Sequence, residues 1–235
     1  VAEVWRFPDT LPARWGLSAW SAGSVSLWDA AINTIVVGVS SAAIALCMVI
    51  VWCELTPVAY IKGQRKKITE IPFYIPLLVP QIAFLFGLQI MLVWLDLDGL
   101  YITLIWAHLL FVVPYVLLSL GPAWRRWDNR LDDVGAALGA GRIERLIRIK
   151  LPVLITPIMT SLAIGFAVSA ALYLPTIFVG GGRIITLTTE AVTLASGAGR
   201  QNLGAATALQ MALPLLIFLC ADAVSRRRLS GTGSA

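Results

Sequence analysis

Charge is what this sequence has least of. Only 13% of its 235 residues are Asp, Glu, Lys or Arg, and histidine occurs once. A soluble domain carries roughly a quarter charged residues. With 58% of the residues hydrophobic and a mean hydropathy of +0.83, a water-soluble fold could not hide the apolar surface, so a bilayer is the solvent for most of the chain. Cysteine is scarce too. Cys47, Cys53 and Cys220 lie in or at the ends of apolar runs, with no CxxC and no histidine at ligand spacing. That argues against a metal or redox centre and reads them as small buried residues. A GxxxxGK[ST] loop is missing, because Gly180-Gly181-Gly182 runs into arginine and a hydrophobic stretch; ATP is not bound here in that way. Neither clustered carboxylates nor paired histidines nor an activated nucleophile stand out, which argues against a membrane enzyme. No cofactor and no metal are expected.

What charge there is has a pattern. The net charge is +5, and the basic residues sit between apolar runs rather than on a soluble face, so they report topology and not nucleic acid. Five runs approach or exceed the ~20 residues that cross a hydrocarbon core: about 30–53, 71–95, 101–120, 153–179 and 203–224. Trp28, Trp52, Trp94, Trp124 and Trp127 fall near run ends, where an aromatic belt would hold them. Fourteen of the 18 basic residues lie on one side, among them Lys62, Arg65, Arg125, Arg126, Arg142, Lys150 and Arg226. By the positive-inside rule that side is cytoplasmic. The expected architecture is an all-α membrane protein with five transmembrane helices, its N-terminus outside and its C-terminus cytoplasmic. Residues 1–29 are expected to be a periplasmic linker segment, 30–228 the transmembrane domain and 229–235 a C-terminal tail. The polar, Trp- and Pro-rich start does not resemble a signal peptide, and an outside start with no preceding span suggests a longer parent chain.

The spans are poor as simple anchors. Pro72, Pro76 and Pro80 punctuate the second, Pro114 the third, Pro157 and Pro175 the fourth, and Pro214 the fifth. Proline frees backbone carbonyls that lipid cannot satisfy, so these faces should point at protein or water. The fourth span is rich in small residues (Ser161, Ala163, Gly165, Ala167, Ser169, Ala170, Ala171), which let helices approach closely or line a pathway. His108 is the one clear mid-span ionisable group, with Glu54 at a span end. Without a partner charge it reads as a hydrogen-bonded packing residue, although a histidine in a span is a functional candidate. Pro80, Gln81, His108, Ser169 and Tyr173 are the candidate pathway residues. The outer connection at 180–202 contains a short amphipathic stretch at 189–195, which either contacts another protein, re-enters toward the pathway or lies at the interface.

Residues 131–152 are the most informative stretch. Asp132 and Asp133 suit a helix N-terminus, Gly139-Ala140-Gly141 breaks that short helix, and an amphipathic segment follows with Ile143, Leu146 and Ile147 on one face and Arg142, Arg145 and Arg148 on another. Leu151-Pro152 then opens the next span. This is a helix, a glycine corner and a second helix feeding a membrane span; a basic loop resting on anionic headgroups is the plainer reading.

The spacing Asp133-Val134-Gly135, Gly139, Ile149-Lys150-Leu151-Pro152 resembles the EAA loop (E-A-A-x-x-x-G, nine residues, I-x-L-P) of binding-protein-dependent ABC importer permeases. Gly139, Ile149, Leu151 and Pro152 match in register, while Asp133, Val134 and Gly135 replace the glutamate and two alanines. Trp5-Arg6-Phe7-Pro8 with Leu11-Pro12, and the loop from Gly182 to Val192, resemble the C-terminal half of fused two-half permeases of the thiamine, ferric iron and polyamine-like group. The resemblance implies a permease half that forms a solute pathway, in a membrane with lipid around it and with no nucleic acid. It implies three protein partners: a cytoplasmic ATP-binding subunit, a second permease half and a periplasmic solute-binding protein. It also implies that Asp133, Gly135, Ala136, Gly139, Arg142, Ile149, Leu151 and Pro152 couple the pathway to the ATPase. An ion-coupled carrier or channel subunit is the alternative.

Overall fold

A computed structural model describes residues 2–4, 14–15, 24–56, 66–197 and 200–231 of the chain, with side chains described from 26–56, 70–197 and 202–227. The first elements are a short antiparallel ribbon, β1 (Ala2–Val4) paired with β2 (Arg14–Trp15). The other described elements are helical: α1 (Ser24–Leu55), α2 (Lys66–Leu78), α3 (Gln81–Trp94), α4 (Tyr101–Arg125), α5 (Asn129–Ala137), α6 (Arg142–Arg145), a π turn (Leu146–Lys150), α7 (Leu151–Val153), α8 (Ile155–Ala171), α9 (Leu174–Val179), α10 (Leu187–Ser196) and α11 (Arg200–Gly231). The Trp5–Pro12 motif and the basic residues Lys62 and Arg65 lie outside the described residues. α1 starts at Ser24, ahead of the apolar run at about 30–53.

Among the described residues three helical stretches are long and apolar enough to cross a bilayer, Ser26–Leu55, Tyr101–Arg125 and Asn202–Arg227. Two more qualify only as bent pairs: Glu70–Leu78 with Gln81–Trp94, at 96°, and Arg142–Val153 with Ile155–Ala171, at 80°. The apolar run at 71–95 thus forms two helical segments. Pro80 supplies the break, with no N–H to continue the ladder and a backbone (φ −54°, ψ 108°) outside the helical region. The apolar run at 153–179 is broken as well. α8 stops at Ala171, Leu172 turns extended (φ −72°, ψ 98°), and α9 starts afresh with Pro175 in its first turn. In a continuous helix the Pro175 ring would collide with the Ala171 carbonyl.

α8 is the centre of the bundle, packed on α1, α4 and α11. Between helices in lipid there is little hydrophobic driving force, so close van der Waals packing has to supply the attraction. The small residues do this. Gly38 of α1 lies against the Phe166 ring, where an added Cβ would come to 2.6 Å from Cε2; at Gly165 it would meet Val116 at 2.9 Å and Ala42 at 3.3 Å. One buried cluster, including Val49, Cys53, Val116, Leu120, Trp124 and Leu154, fills one end of the bundle, and another, including Val37, Leu85, Leu104, Phe111 and Val179, fills the other. Outward faces carry Ile32, Val36, Val39, Met48 and Val51 on α1 and Met211, Leu215 and Leu219 on α11. Cys47 and Cys220 belong to this outward surface and only Cys53 is buried, so the expectation of three buried thiols is corrected: a small apolar residue is equally at home against lipid.

Two expected belt tryptophans are corrected as well. Trp28 and Trp94 are exposed, but Trp124 and Trp127 are buried in the core, for a reason given by the charge beside them below. The packing at Gly38 makes a direct prediction. Gly38→Ala should lower stability by about 1–3 kcal/mol through overpacking, read as a fall in the thermal unfolding midpoint in detergent. Gly87→Ala, where nothing lies within 4 Å of the new methyl, should show no such fall.

Candidate functional site

At the end of the bundle that holds Arg125, Arg126, Lys150 and Arg226, α5 and α6 form a corner. Asp128 caps α5, its carboxylate accepting from the Arg130 N–H at 3.0 Å, so the helix starts ahead of Asp132 and Asp133. α5 ends as glycine-terminated helices do. Gly139 sits at φ +84°, its N–H donates to the Ala136 carbonyl at 2.9 Å, and the Ala140 N–H donates to the Gly135 carbonyl at 3.0 Å. These two bonds close the last turn and reverse the chain. Gly135 is needed for a different reason: an added Cβ would touch Arg145 and Ile149 at 3.0 Å, so its small size lets α5 lie against the segment that follows.

That segment is not a regular helix. Leu146–Lys150 forms a π turn in which the Leu151 N–H reaches back to the Leu146 carbonyl. Pro152 follows directly; it has no N–H to give to a regular ladder, and a local π adjustment is one way to absorb that loss. Leu154 (φ −90°, ψ 15°) then makes the 80° bend into α8.

The motif residues therefore fall into two groups. Gly135, Ala136, Gly139, Ile149, Leu151 and Pro152 build the corner and its connection to α8. Asp133 is exposed on α5, beside Val134 and Leu138, which is 83% exposed. Ile143 and Ile147 also face outward. Arg142 turns the other way: its Nε lies 3.4 Å from Glu54 Oε1 and its Nη2 donates to the Glu54 carbonyl.

Glu54 and Lys150 are the residues that pattern reading missed in this role. Lys150, only 7% exposed, places its Nζ 2.8 Å from Glu54 Oε2 and 3.4 Å from Asp132 Oδ2. The same ammonium lies 5.2 Å from the Trp124 ring centroid and 5.6 Å from that of Trp127, within cation–π range. The Trp127 indole N–H donates to Asp132 at 2.9 Å. This explains why the two tryptophans are inside: they wall a buried cation. The one available signal was an isolated acid, Glu54, ending an apolar run on the basic side. Arg125 is another topological charge with a partner, Glu70, at 3.2 Å.

The candidate pathway residues divide. Gln81 lines a cavity of about 410 Å³ beside the α2–α3 bend, together with Pro76, Val79, Phe111, Tyr115 and Leu172. Pro80 makes the bend itself, and Tyr173 is half-buried at the break after α8. His108 and Ser169 are elsewhere, in a closed polar contact. Ser169 Oγ is 2.7 Å from His108 Nδ1, and Thr176 Oγ1 is 3.1 Å from Nε2. Thr176 in turn donates to the Leu172 carbonyl at 2.7 Å. One tautomer, with the proton on Nε2, satisfies all of these partners. These contacts join α4 to α8 and α9.

Near this contact the amphipathic stretch at 189–195 falls in α10, which is packed into the protein. Leu187 is fully buried, its N–H bonded to Thr34 Oγ1 at 2.9 Å. Thr188 donates to the Ala170 carbonyl, and Gln210 Nε2 donates to that carbonyl at 2.8 Å and to Thr188 Oγ1 at 2.7 Å.

This is the fold of a multi-pass membrane permease, with an ordered two-helix corner at the basic end of the bundle. Compared with known proteins, no protein-family model matches the chain. It is 37% identical over 198 residues to the inner membrane ABC transporter permease protein YnjC of Escherichia coli K12, a match covering 84% of the chain and 37% of YnjC. It is 22% identical over 204 residues to a putative 2-aminoethylphosphonate transport system permease protein, PhnV, of Salmonella typhimurium, covering 85% of the chain and 76% of PhnV. The crystal structure of a bacterial ABC transporter involved in the import of the acidic polysaccharide alginate shares the fold, with a TM-score of 0.63 at 21% identity over 92% of this chain and 85% of that one. The chain belongs to the ABC-transporter permease family and is a multi-pass inner-membrane protein. It spans little more than a third of the length of YnjC.

The geometry of the corner separates two roles of glycine. Gly139→Ala should cost about 1 kcal/mol, the left-handed backbone penalty alone, because nothing lies within 4 Å of the added methyl. Gly135→Leu should instead push α5 off Arg145 and Ile149. Amide hydrogen exchange should rise across residues 129–150 in the second variant well beyond the first.

Proposed function

We propose that this chain is a transmembrane permease unit of an ATP-driven, binding-protein-dependent importer, and that the α5–α6 corner is where its ATP-binding subunit docks. The observation that carries this reading is the corner itself. It is an ordered element projecting from the basic end of the bundle, and it presents Val134, Leu138, Ile143 and Ile147 outward at 59%, 83%, 72% and 57% exposure. A rim of charge surrounds them, with Asp133 on one side and Arg148, paired to Glu144 at 2.9 Å, on the other. Apolar anchors ringed by polar groups are what a protein partner covers. On this reading Asp133 meets a basic group of the ATPase and Gly139 keeps the corner's shape.

Each bent pair counts as one span, which makes five. The basic end is cytoplasmic, so the start of α1 lies outside and the end of α11 inside. The cavity beside Gln81 belongs to the solute pathway, completed by a second permease half. A periplasmic binding protein delivers the solute. None of the observations favours an ion-coupled carrier or a channel.

Co-purification with the ATP-binding subunit tests the assignment. Leu138→Asp and Asp133→Arg should each reduce the bound ATPase at least tenfold, the equivalent of about 1.4 kcal/mol, while leaving the thermal unfolding of the isolated chain unchanged. Full retention of the ATPase by both variants overturns it.

A further inference from the structure

We propose that Lys150 fastens the corner to the foot of α1, so that a displacement of the corner is delivered to α1 as well as to α8. This rests on the coupling role given to the corner above.

Chain continuity alone leads from the corner only into α8, and it does so around the 80° bend at Leu154. The ionic contacts add a second connection. Glu54, in the last turn of α1, is gripped from both ends of the segment after Gly139: by Arg142 at its start and by Lys150 at its finish. Lys150 also reaches Asp132, so the same ammonium joins α1, α5 and the start of the next span. Trp127 holds Asp132 from the far side, and the Trp124 and Trp127 rings leave the ammonium little room to move.

Two carboxylates and two cations balance in this cluster, with the Lys150 and Glu54 side chains 9% and 16% exposed. A paired charge taken out of water adds little net stability over an apolar replacement of the same size, yet removing one member leaves the others unpaired. Such a cluster is a poor way to gain stability and a good way to hold a fixed relative position. α1 is the element worth holding. It runs 32 residues and packs along both α4 and α8, so a push at its foot reaches the outer half of the bundle without passing through the bend.

The experiment is pulsed electron–electron spin resonance on the full chain with its ATP-binding subunit. Labels go at Leu55, on the foot of α1, and Asn129, at the start of α5 and outside the docking residues named above, both exposed, with the native cysteines replaced by alanine. In the otherwise unaltered chain the Leu55–Asn129 distance should be narrow. It should shift by less than about 2 Å, the scale of a small helix adjustment, between nucleotide-free and vanadate-trapped states. In Lys150→Met, which keeps the bulk beside the tryptophans, the distribution should broaden and become nucleotide-dependent while the ATPase remains bound. Lys150→Arg, which returns a cation to the place between Glu54 and Asp132, should narrow it again. A distance that already shifts with nucleotide before Lys150 is changed overturns the proposal, as does a Lys150→Met distribution that stays narrow. Should Lys150→Met not fold, Glu54→Gln decides, since it removes the α1 partner and leaves Lys150 on Asp132: a broad distribution upholds the fastening and a narrow one ends it. If no ATPase binds the unaltered chain, the coupling reading itself fails. Broadening in Lys150→Met without the ATPase would still establish the fastening as a structural tie.

Discussion

The contact between α1 and α8 at Gly38 and Phe166 is the constraint on which the other helices depend. In a bilayer two helices gain little from hiding apolar side chains from each other, since lipid tails are as apolar as leucine. They associate where backbones can come close enough for dense packing. The Phe166 ring fills the space a side chain at Gly38 would need, and on a neighbouring face Gly165 admits Val116 of α4 and Ala42 of α1. With α8 seated this way its small residues also meet α11, and the polar contact of His108 with Ser169 fixes the height of α4 against it. The bent pairs and helix α10 then pack around a core already defined.

Much of this was legible in the sequence because the signals were long. Runs of twenty apolar residues, bounded by basic clusters, mark spans whatever the tertiary detail, and the stripe from Ser161 to Ala171 marked the tightly packed helix. The glycine corner was legible for a local reason: Gly139 at the end of a short helix is the residue type that tolerates a left-handed backbone. Helix breaks were less legible. α4 runs unbroken through Pro114 and Pro122, whereas Pro80 and Pro175 end helices, and a proline carries no mark of which it will do. α4 is held on both sides by α1 and α8, with Val112, Val113, Val116 and Leu117 all buried; the segment around Pro80 borders an open cavity and is free to turn.

Lys150 illustrates a different limit. Counted with its neighbours it reports which side of a membrane a loop occupies, and that count treats every basic residue alike. Whether a given cation is solvated or enclosed depends on residues distant in sequence, here Glu54 and two tryptophans that themselves resemble members of an interfacial belt. A topological rule and a buried cluster can thus share the same atoms.

The π turn at Leu146–Lys150 has a consequence for helical phase. At 100° per residue in a regular helix, Ile143, Ile147, Lys150, Leu154 and Ile158 would fall on one stripe. In this protein the first two face outward and the last three are buried. The widened turn, with the bend after it, resets the phase between them. The stripe ahead of the turn and the stripe behind it can therefore answer to different surfaces, one to whatever covers the corner and the other to the bundle's own interior, although they are written as a single repeat.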